Sequence, residues 1–299
     1  MRTALAATAL GLALGGGLAG YARYVEPHRL RLARRRVAVP GLPAAFDGLR
    51  VLHLSDLHVG APNCGARHVR AAAAALPADL VAITGDLVHG TAAIPACAAV
   101  LGELRAPLGV WAVLGNHDYS YPHCKVDTGA LLVALDEIGV RVLNNTAAPI
   151  RRAAVPRCRP ASAGGGAAAA GGELWLAGVD DPHRRRHDLA AALRDVPWDA
   201  CTLLLAHSPD VLLDLPSDRV ALALLGHAHG GQVRLPGLPA LVTRTRLRVR
   251  EPHGVRRVRG TLVHMHAGLG APTPFRFRMP PEAALLQLVP GPPRAESRG

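Results

Sequence analysis

Five short motifs carry side chains that bind divalent metal ions. They are Asp56-x-His58, Gly85-Asp86, Gly115-Asn116-His117-Asp118, Ala206-His207 and Gly226-His227-x-His229. Their ligands are carboxylate, amide and imidazole groups, with no thiolate among them. Such a set suits Mn²⁺, Fe²⁺ or Fe³⁺, Zn²⁺ or Mg²⁺ and argues against soft-metal chemistry. We therefore predict a site for two adjacent divalent metal ions. Its predicted ligands are Asp56, His58, Asp86, Asn116, His207, His227 and His229.

Each motif follows an apolar run that predicts a β-strand. These runs are residues 49–55, 80–84, 110–114, 202–206 and 221–225. Ligands that follow strands at one edge of a sheet can converge on a single crevice. We therefore expect the five motifs to meet at the carboxyl ends of the strands.

The spacing within the motifs suggests how the ligands share the metal ions. In extended backbone, residues two apart point to the same side, so Asp56 and His58 can reach one cation. Asp86 follows a different strand, and its two carboxylate oxygens can bridge two cations. A glycine directly precedes Asp86, Asn116 and His227, and glycine allows the tight backbone turns that crowded ligands need.

Two metal ions about 3.5–4 Å apart can activate a bridging water and hold a phosphate for in-line attack. His117 lies next to a ligand without being needed as one. We expect it to stabilise the transition state or to protonate the leaving oxygen. Asp118 has two alternative roles: it orients the imidazole of His117 for catalysis, or it is a carboxylate that forms or caps a turn.

The order of the five motifs resembles the calcineurin-like metallophosphoesterase superfamily, over residues 36 to 289 or so. Residues 54–58, 178–182 and 226–232 are similar to its bacterial, N-terminally membrane-anchored phosphodiesterase-like branch. The resemblance implies an α/β fold, a four-layer α/β/β/α sandwich of two mixed sheets, with a dinuclear site. It further implies the ligand sets Asp56, His58 and His229 for one metal ion, Asn116, His207 and His227 for the other, Asp86 as the bridge and His117 as the catalytic histidine.

The remaining pattern agrees with one α/β domain over residues 46–290. Predicted helices at 66–76, 93–105 and 128–138 alternate with the first strands, which indicates a mainly parallel sheet. The second half is richer in strands, at 140–143, 174–179, 261–266 and 283–289, with helices at 187–194 and 210–213. These strands predict a second sheet packed on the first. We expect a flexible insertion at 151–172 and a disordered tail at 291–299.

The first 22 residues predict a membrane anchor or a secretory signal. Residues 3–20 carry no charge, and roughly 17–25 apolar residues cross a bilayer. A basic stretch follows at 23–45, which predicts a juxtamembrane linker or an edge strand. Because the arginines lie mainly after the apolar run, an uncleaved single-pass anchor in the cell membrane would leave the domain on the cytoplasmic side.

The charge and the cysteine spacing bear on which partners and which metal sites the sequence predicts. The net charge is +12 and Lys125 is the only lysine, so arginine, which grips phosphate bidentately, carries nearly all the positive charge. An anionic partner and a plain compositional bias both explain this. Arginines alternate at Arg244, Arg246, Arg248 and Arg250, which predicts one strand face, either a wall for anions or a solvated surface. The five cysteines form no Cys-x-x-Cys pair, so no zinc ribbon is indicated.

These features predict a membrane-associated, metal-dependent phosphohydrolase, and a phosphodiesterase rather than a monoesterase. The substrate would be a phosphoester, lipid-linked or nucleotide-containing. The alternatives are a phosphomonoesterase, a nuclease, and a non-catalytic metal-containing protein that binds anions or lipids. Aromatic residues are only 3% of the chain, and no aromatic-interleaved basic groove is visible, so no specific nucleic-acid partner is predicted.

Overall fold

Two mixed six-stranded sheets form the framework of the protein. The computed structural model describes residues 2–62, 65–120, 124–152, 173–216, 218–240 and 243–292. The first sheet has the order β1-β12-β2-β3-β4-β5, with β1 (Arg31–Pro40), β2 (Leu49–Leu54), β3 (Leu80–Thr84), β4 (Val110–Val113), β5 (Val140–Val142) and β12 (Glu282–Gly291). The second has the order β10-β11-β9-β8-β7-β6, with β6 (Thr146–Ile150), β7 (Leu174–Gly178), β8 (Cys201–Ala206), β9 (Leu222–Leu225), β10 (Gly254–Val258) and β11 (Thr261–Met265).

The strands that carry the motifs are parallel neighbours at the centre of each sheet. In the first sheet β2, β3, β4 and β5 are parallel, while β12 is antiparallel to β2 and parallel to β1. In the second sheet β7, β8, β9 and β11 are parallel, while β6 and β10 are antiparallel edge strands. Parallel pairing brings the carboxyl ends of the motif strands to the same edge.

Helices cover the outer face of each sheet. The first sheet carries α2 (Ala66–Ala75), α3 (Ile94–Leu101) and α4 (Thr128–Glu137), and the second carries α5 (Leu189–Leu193) and a 3₁₀ helix, Pro209–Leu213. A separate apolar cluster fills the space between the sheets, where side chains such as Val51 and Leu203 are fully buried. The predicted α/β sandwich of two mixed sheets is therefore confirmed, and its core is aliphatic.

Three regions differ from the sequence prediction. The structure adds edge strands β6 and β10, which the sequence pattern did not predict, and α3 is shorter than the expected 93–105. The basic stretch 23–45 contains the edge strand β1. Residues 153–172 of the expected insertion and 293–299 of the expected tail lie outside the described residues, and β12 itself extends to Gly291.

The N-terminal segment is helix α1 (Arg2–Tyr24). Among the residues that the structure describes, no helix is long and apolar enough to cross a membrane. The expected transmembrane helix within residues 1–22 is therefore not supported. Three consecutive glycines, at positions 15 to 17, dilute the apolar character of this helix.

Candidate metal centre

The structure places all seven predicted ligands just beyond the carboxyl ends of five parallel strands. Asp56 and His58 follow β2, Asp86 follows β3, Asn116 follows β4, His207 follows β8, and His227 and His229 follow β9. Six of these side chains are buried, and His229 is 13% exposed. The two sheets thus bring the ligands to one edge of the sandwich, as the motif positions predict.

The ligands form two neighbouring groups. The side-chain nitrogens and oxygens of Asp56, His58 and His229 lie within 4.8 Å of one another, and so do those of Asp86, His207 and His227. Asp86 joins the groups, because its Oδ2 lies 3.5 Å from His58 Nε2 and 3.4 Å from His207 Nε2. This single oxygen occupies the position that a bridging carboxylate requires.

Asn116 belongs to the second group. Its Oδ1 lies 3.2 Å from His207 Nε2, and that nitrogen is 3.1 Å from His227 Nδ1. The amide oxygen is therefore available to the same cation as the two imidazoles. The two histidines of the Gly226-His227-x-His229 motif point to different groups, which agrees with the assignment that the family resemblance implies.

The ligand backbone is not extended, contrary to the expectation for Asp56 and His58. Five of the seven ligands have left-handed backbone angles, with φ of 54° at Asp56, 45° at His58, 55° at Asp86, 66° at His227 and 46° at His229. Non-glycine residues adopt this region rarely and at a cost of about 1–3 kcal/mol each. Such strain concentrates at functional sites, where the surrounding fold enforces it.

The glycines before the ligands are required mainly by close packing. Only Gly85 has a positive φ, of 82°, whereas Gly115 and Gly226 do not need one. A Cβ on Gly115 would lie 2.5 Å from the backbone nitrogen of Asp86, and a Cβ on Gly226 would collide with Ser55 Oγ. These glycines therefore allow the ligands to pack closely, as predicted. At Gly115 and Gly226 the reason is the lack of a side chain rather than a tight backbone turn.

Hydrogen bonds outside the ligand groups fix the orientation of two imidazoles. His207 uses Nδ1 to contact the Thr84 carbonyl at 2.8 Å, which leaves Nε2 facing Asp86. His227 uses Nε2 to contact the Arg244 carbonyl at 3.1 Å, which leaves Nδ1 facing His207. A carbonyl that accepts from one ring nitrogen sets the tautomer and presents the other nitrogen to a metal ion.

The imidazole of His58 shows that the residues fit a cation. This side chain is fully buried, and neither ring nitrogen has a hydrogen-bond partner among the described residues. Burial lowers the pKa of His58 to about 3 and that of His227 to about 3, so both are neutral near pH 7. Neutral buried imidazoles without hydrogen-bond partners are rare, and a metal ion would satisfy His58.

The carboxylates of the centre attract positive charge. Burial raises the pKa of Asp56 to about 6. Burial also opposes ionisation of Asp86, but the charge and hydrogen bond of His207 outweigh it and hold the pKa of Asp86 well below its usual range. Burial lowers the pKa of His207, but the charge and hydrogen bond of Asp86 together with the charges of Asp56 and Asp181 outweigh it and raise the pKa to about 10. A cation bound by Asp86 and His207 would compete with the proton on His207 Nε2 for the same carboxylate oxygen, which lies 3.4 Å from that nitrogen.

His117 lies at the boundary between the ligands and solvent. Its backbone amide donates to Asp86 Oδ1 at 2.8 Å, and its ring meets the His58 ring edge-on with centroids 5.0 Å apart. Partial burial lowers the pKa of His117. The ring centroid of a further imidazole, that of His89, lies 6.0 Å from the ring centroid of His117. One ring nitrogen from each of His58, His89 and His117 lies within 4.8 Å of the other two. His89 stands in none of the five motifs, so sequence reasoning did not single it out.

Asp118 supports the turn that carries His117. It is fully buried, and the hydrogen bonds that its carboxylate accepts come from the backbone amides of Leu87 at 2.7 Å, Val88 at 3.1 Å and Gly115 at 2.8 Å. This is the geometry of a capping carboxylate, the second of the two roles considered for Asp118. Its role in orienting the His117 imidazole stays a prediction.

A pocket of about 180 Å³ opens above the ligands. Its lining includes the ligands Asp86, Asn116, His227 and His229, together with His117, His183, Ala228, Gln232, Thr243, Arg244, Pro272 and Thr273. The alternating arginines 244 to 250 are exposed as predicted, but this segment is not a strand, and only Arg244 of the four lines the pocket. Arg244 thus agrees with the predicted wall for anions and the other three arginines with a solvated surface, whereas His183 stands in none of the five motifs.

A buried arginine, Arg276, supports the first ligand group. Its guanidinium donates to the carbonyls of Ala267 at 2.8 Å, Gly270 at 2.9 Å and Met279 at 3.2 Å, and one nitrogen lies 3.5 Å from His229 Nδ1. Burial lowers the pKa of Arg276 to about 10, so it stays charged near pH 7. Sequence reasoning missed this role, because Arg276 stands in none of the five motifs.

Comparison with known proteins gives a family for this arrangement. The family model of calcineurin-like phosphoesterases matches residues 49–231, which is more than half of the chain and contains all seven ligands. The chain belongs to the calcineurin-like phosphoesterase family. The two His/Asp groups therefore lie in a metallophosphoesterase domain, and this membership indicates a hydrolase of phosphoesters.

Some relatives of this chain match it along nearly their whole length. The uncharacterized metallophosphoesterase YkuE of Bacillus subtilis is 28% identical over 94% of this chain and 93% of its own. The UDP-2,3-diacylglucosamine pyrophosphatase LpxG of Chlamydia trachomatis is 26% identical over 90% of this chain and 92% of its own. Among solved structures, phosphopantetheinyl hydrolase from Mycobacterium tuberculosis covers 83% of this chain and 98% of its own, at 15% identity and a TM-score of 0.44.

Proposed function

We propose that this protein is a phosphodiesterase that uses two divalent metal ions held by the paired His/Asp groups. The observation that carries the proposal is the position of Asp86 Oδ2, 3.5 Å from His58 in one group and 3.4 Å from His207 in the other. Asp56, His58 and His229 would hold one ion, and Asn116, His207 and His227 the other. Mn²⁺, Fe²⁺ or Fe³⁺, Zn²⁺ and Mg²⁺ all suit these oxygen and nitrogen donors.

When bound, such ions supply Lewis-acid stabilisation of phosphoryl oxygens and activate a water molecule. The chain itself would orient the substrate. His117 lines the pocket next to the buried ligands, so its imidazole can donate a hydrogen bond to a phosphoryl oxygen or a proton to the leaving oxygen. Its backbone amide donates to Asp86 Oδ1 at 2.8 Å, which couples the position of His117 to that of the carboxylate that would bridge the two ions.

The size of the pocket favours a diester. Binding pockets that enclose a whole small molecule usually measure roughly 300–1,000 Å³, whereas this one is about 180 Å³. Such a pocket can admit the phosphoryl part and leave organic groups outside at the rim. LpxG, by its name, acts on UDP-2,3-diacylglucosamine as a pyrophosphatase, so at least one relative acts on a substrate of this type.

The proposal includes a lipid surface as the place of action. Helix α1 exposes several leucines, and Leu12 is 73% exposed. The C-terminal end of this helix is held next to the pocket rim. The Ala22 carbonyl accepts from the Arg276 amide at 2.8 Å, and Arg23 reaches the Pro274 carbonyl at 3.4 Å, next to the pocket residue Thr273. An apolar helix fixed at this rim would bring a lipid-linked phosphoester close to the ligands.

The test uses the full-length chain in detergent. We would measure its metal content and its hydrolysis of bis-p-nitrophenyl phosphate and p-nitrophenyl phosphate with added Mn²⁺, beside the His117→Ala variant. The proposal predicts two metal ions per chain, faster cleavage of the diester than of the monoester, and loss of diester cleavage in the variant.

Other outcomes select the alternatives. Faster cleavage of the monoester would indicate a phosphomonoesterase. Metal binding without turnover of either compound would contradict the phosphodiesterase proposal and favour a metal-containing protein that binds anions or lipids. Salt-sensitive binding of nucleic acid would favour a nuclease, because phosphate contacts release counterions.

A further inference from the structure

Arg244 places an unpaired positive charge at the rim of the metal-centre pocket. It is exposed, and it is the only arginine that lines this pocket in the part of the chain that the structure describes. No carboxylate among the described residues pairs with its guanidinium. By contrast, Arg246, two residues further, lies 3.8 Å from the carboxylate of Asp210. The lining contains one carboxylate, Asp86, which faces the metal-ligand groups.

The backbone at Arg244 is held rigidly. Its carbonyl accepts from His227 Nε2 at 3.1 Å, and its φ is 54°, in the region that non-glycine residues rarely adopt. The next two amides, of Arg246 and Leu247, donate to the buried Asp210 at 3.1 Å and 2.8 Å. These contacts fix the position of the Arg244 backbone, and none of the residues that the structure describes forms a hydrogen bond or an ion pair with its guanidinium.

The His227 ring separates the Arg244 backbone from the metal ligand His207. His227 directs Nδ1 towards His207, and the Arg244 carbonyl lies on the opposite side of the ring, at Nε2. Arg244 is exposed, whereas Asp86, Asn116 and His227 of the same pocket are buried, so Arg244 lies on the solvent side of these ligands. A scissile phosphate would lie at the buried ligands, and Arg244 would meet the next part of the substrate.

We propose that Arg244 forms a subsite for a second phosphoryl group, so that the preferred substrates are diphosphate diesters. A guanidinium offers paired donors that match two phosphoryl oxygens. His183 lines the same pocket, with its ring centroid 5.1 Å from that of His227, and it supplies a further nitrogen at the rim. This inference rests on the proposed phosphodiesterase function and names its substrate class.

The test compares two substrates that differ by one phosphoryl group. They are bis(p-nitrophenyl) phosphate and P1,P2-bis(p-nitrophenyl) diphosphate, with products quantified by chromatography. The enzymes are metal-loaded wild type, Arg244→Ala, Arg244→Lys and the matched control Arg248→Ala. Arg248 is also an exposed arginine of the same segment, but it lies outside the pocket lining.

We expect kcat/KM for the diphosphate to fall about ten- to a hundredfold in Arg244→Ala, the size of one lost charge-assisted contact. The loss for the monophosphate diester should be several times smaller. Arg244→Lys should restore only part of the diphosphate activity, because lysine lacks the paired donors. Arg248→Ala should match wild type on both substrates, and metal content should be equal in all four proteins.

Equal losses on both substrates in Arg244→Ala would overturn the proposal, because they would place the guanidinium on the scissile phosphate. An unchanged diphosphate rate, or the same loss in Arg248→Ala, would overturn it as well. If wild type cleaved neither substrate, the phosphodiesterase proposal would fail instead. Calorimetric binding of the diphosphate to wild type and Arg244→Ala would then still decide whether the subsite exists, since only a real subsite weakens binding in the variant.

Discussion

The carboxylate of Glu282 ties the edges of the two sheets together from a buried position. It faces Arg31 Nε at 3.1 Å and Arg35 at 3.5 Å, both on β1, and His253 Nε2 at 3.1 Å, just before β10. Only 1% of its side chain is exposed. Because β1 and β10 belong to different sheets, this carboxylate contributes to the stability of the whole sandwich.

Its surroundings make that contribution dependent on pH. Burial opposes ionisation, but the hydrogen bond and charge of His253 outweigh it and lower the pKa of Glu282 from 4.5 to about 2. A carboxyl whose pKa is lower in the folded state stabilises the protein above its unfolded pKa and ceases to do so as the pH falls through the folded pKa. A pKa lower by about 2.5 corresponds to about 3 kcal/mol. This stabilisation is complete above about pH 4.5 and is lost towards pH 2.

Glu282→Gln keeps the shape of the side chain and removes its charge. We expect the free energy of unfolding at pH 7 to fall by about 3 kcal/mol, and the gap between variant and wild type to shrink as the pH falls below about 4.5. The assay is urea unfolding followed by circular dichroism at several pH values between 7 and 3. The matched control is Glu103→Gln, whose side chain forms an ion pair with Arg70 that is about half exposed on both sides, so solvent screens it and its loss should change stability far less.

Two results would refute this reasoning. A loss of stability in Glu282→Gln that is equal at pH 7 and pH 3 would show that the charge is not responsible. A loss no larger than that of Glu103→Gln would show that the buried contacts of Glu282 count no more than a surface ion pair.

Three further predictions concern the metal centre. Asp86→Asn should lower metal occupancy at both sites, whereas His229→Ala should remove about one metal ion, as measured by elemental analysis after dialysis; equal losses would contradict the bridging position of Asp86. Gly226→Ala should reduce metal content and stability together, because its Cβ collides with Ser55 Oγ, and an unchanged melting temperature would disprove the collision. Asp118→Asn should cost about 1–3 kcal/mol of stability in urea unfolding, because the amide nitrogen faces backbone donors; a loss of activity at unchanged stability would instead support orientation of His117.

The positions of the metal ligands were predictable from the sequence because they follow strands with strong signals. Strands β3, β8 and β9 are mostly apolar and buried on both faces, and β2 is buried except at Arg50, which is typical of the central strands of parallel sheets. The residue after such a run must lie at the carboxyl edge. Motif order and strand ends were therefore enough to bring Asp56, Asp86 and His207 together.

The edge strands lacked that signal. Strand β6 contains Pro149 and is half exposed, and β10 contains Arg256 and Arg257. Edge strands tolerate proline and charge because one side of the backbone has no partner strand. The prediction of a strand at Arg244 to Arg250 was wrong for a related reason. The exposed arginines do alternate, but no strand among the described residues pairs with this segment. Alternation reports which side faces solvent, and pairing depends on residues far away in the sequence.

The conformation of the ligands themselves could not be predicted, because tertiary hydrogen bonds impose it. The Asp56 amide donates to the Gly85 carbonyl at 3.0 Å, the His58 amide to the Asp86 carbonyl at 2.9 Å, and the Gly270 amide to the Asp56 carbonyl at 2.7 Å. These bonds continue the strand pairing past the strand ends and hold the left-handed residues in place. The fold itself therefore imposes the strained backbone, through hydrogen bonds that involve no metal ion. A variant that loosens these strand ends should for this reason lose its metal ions before it loses its fold.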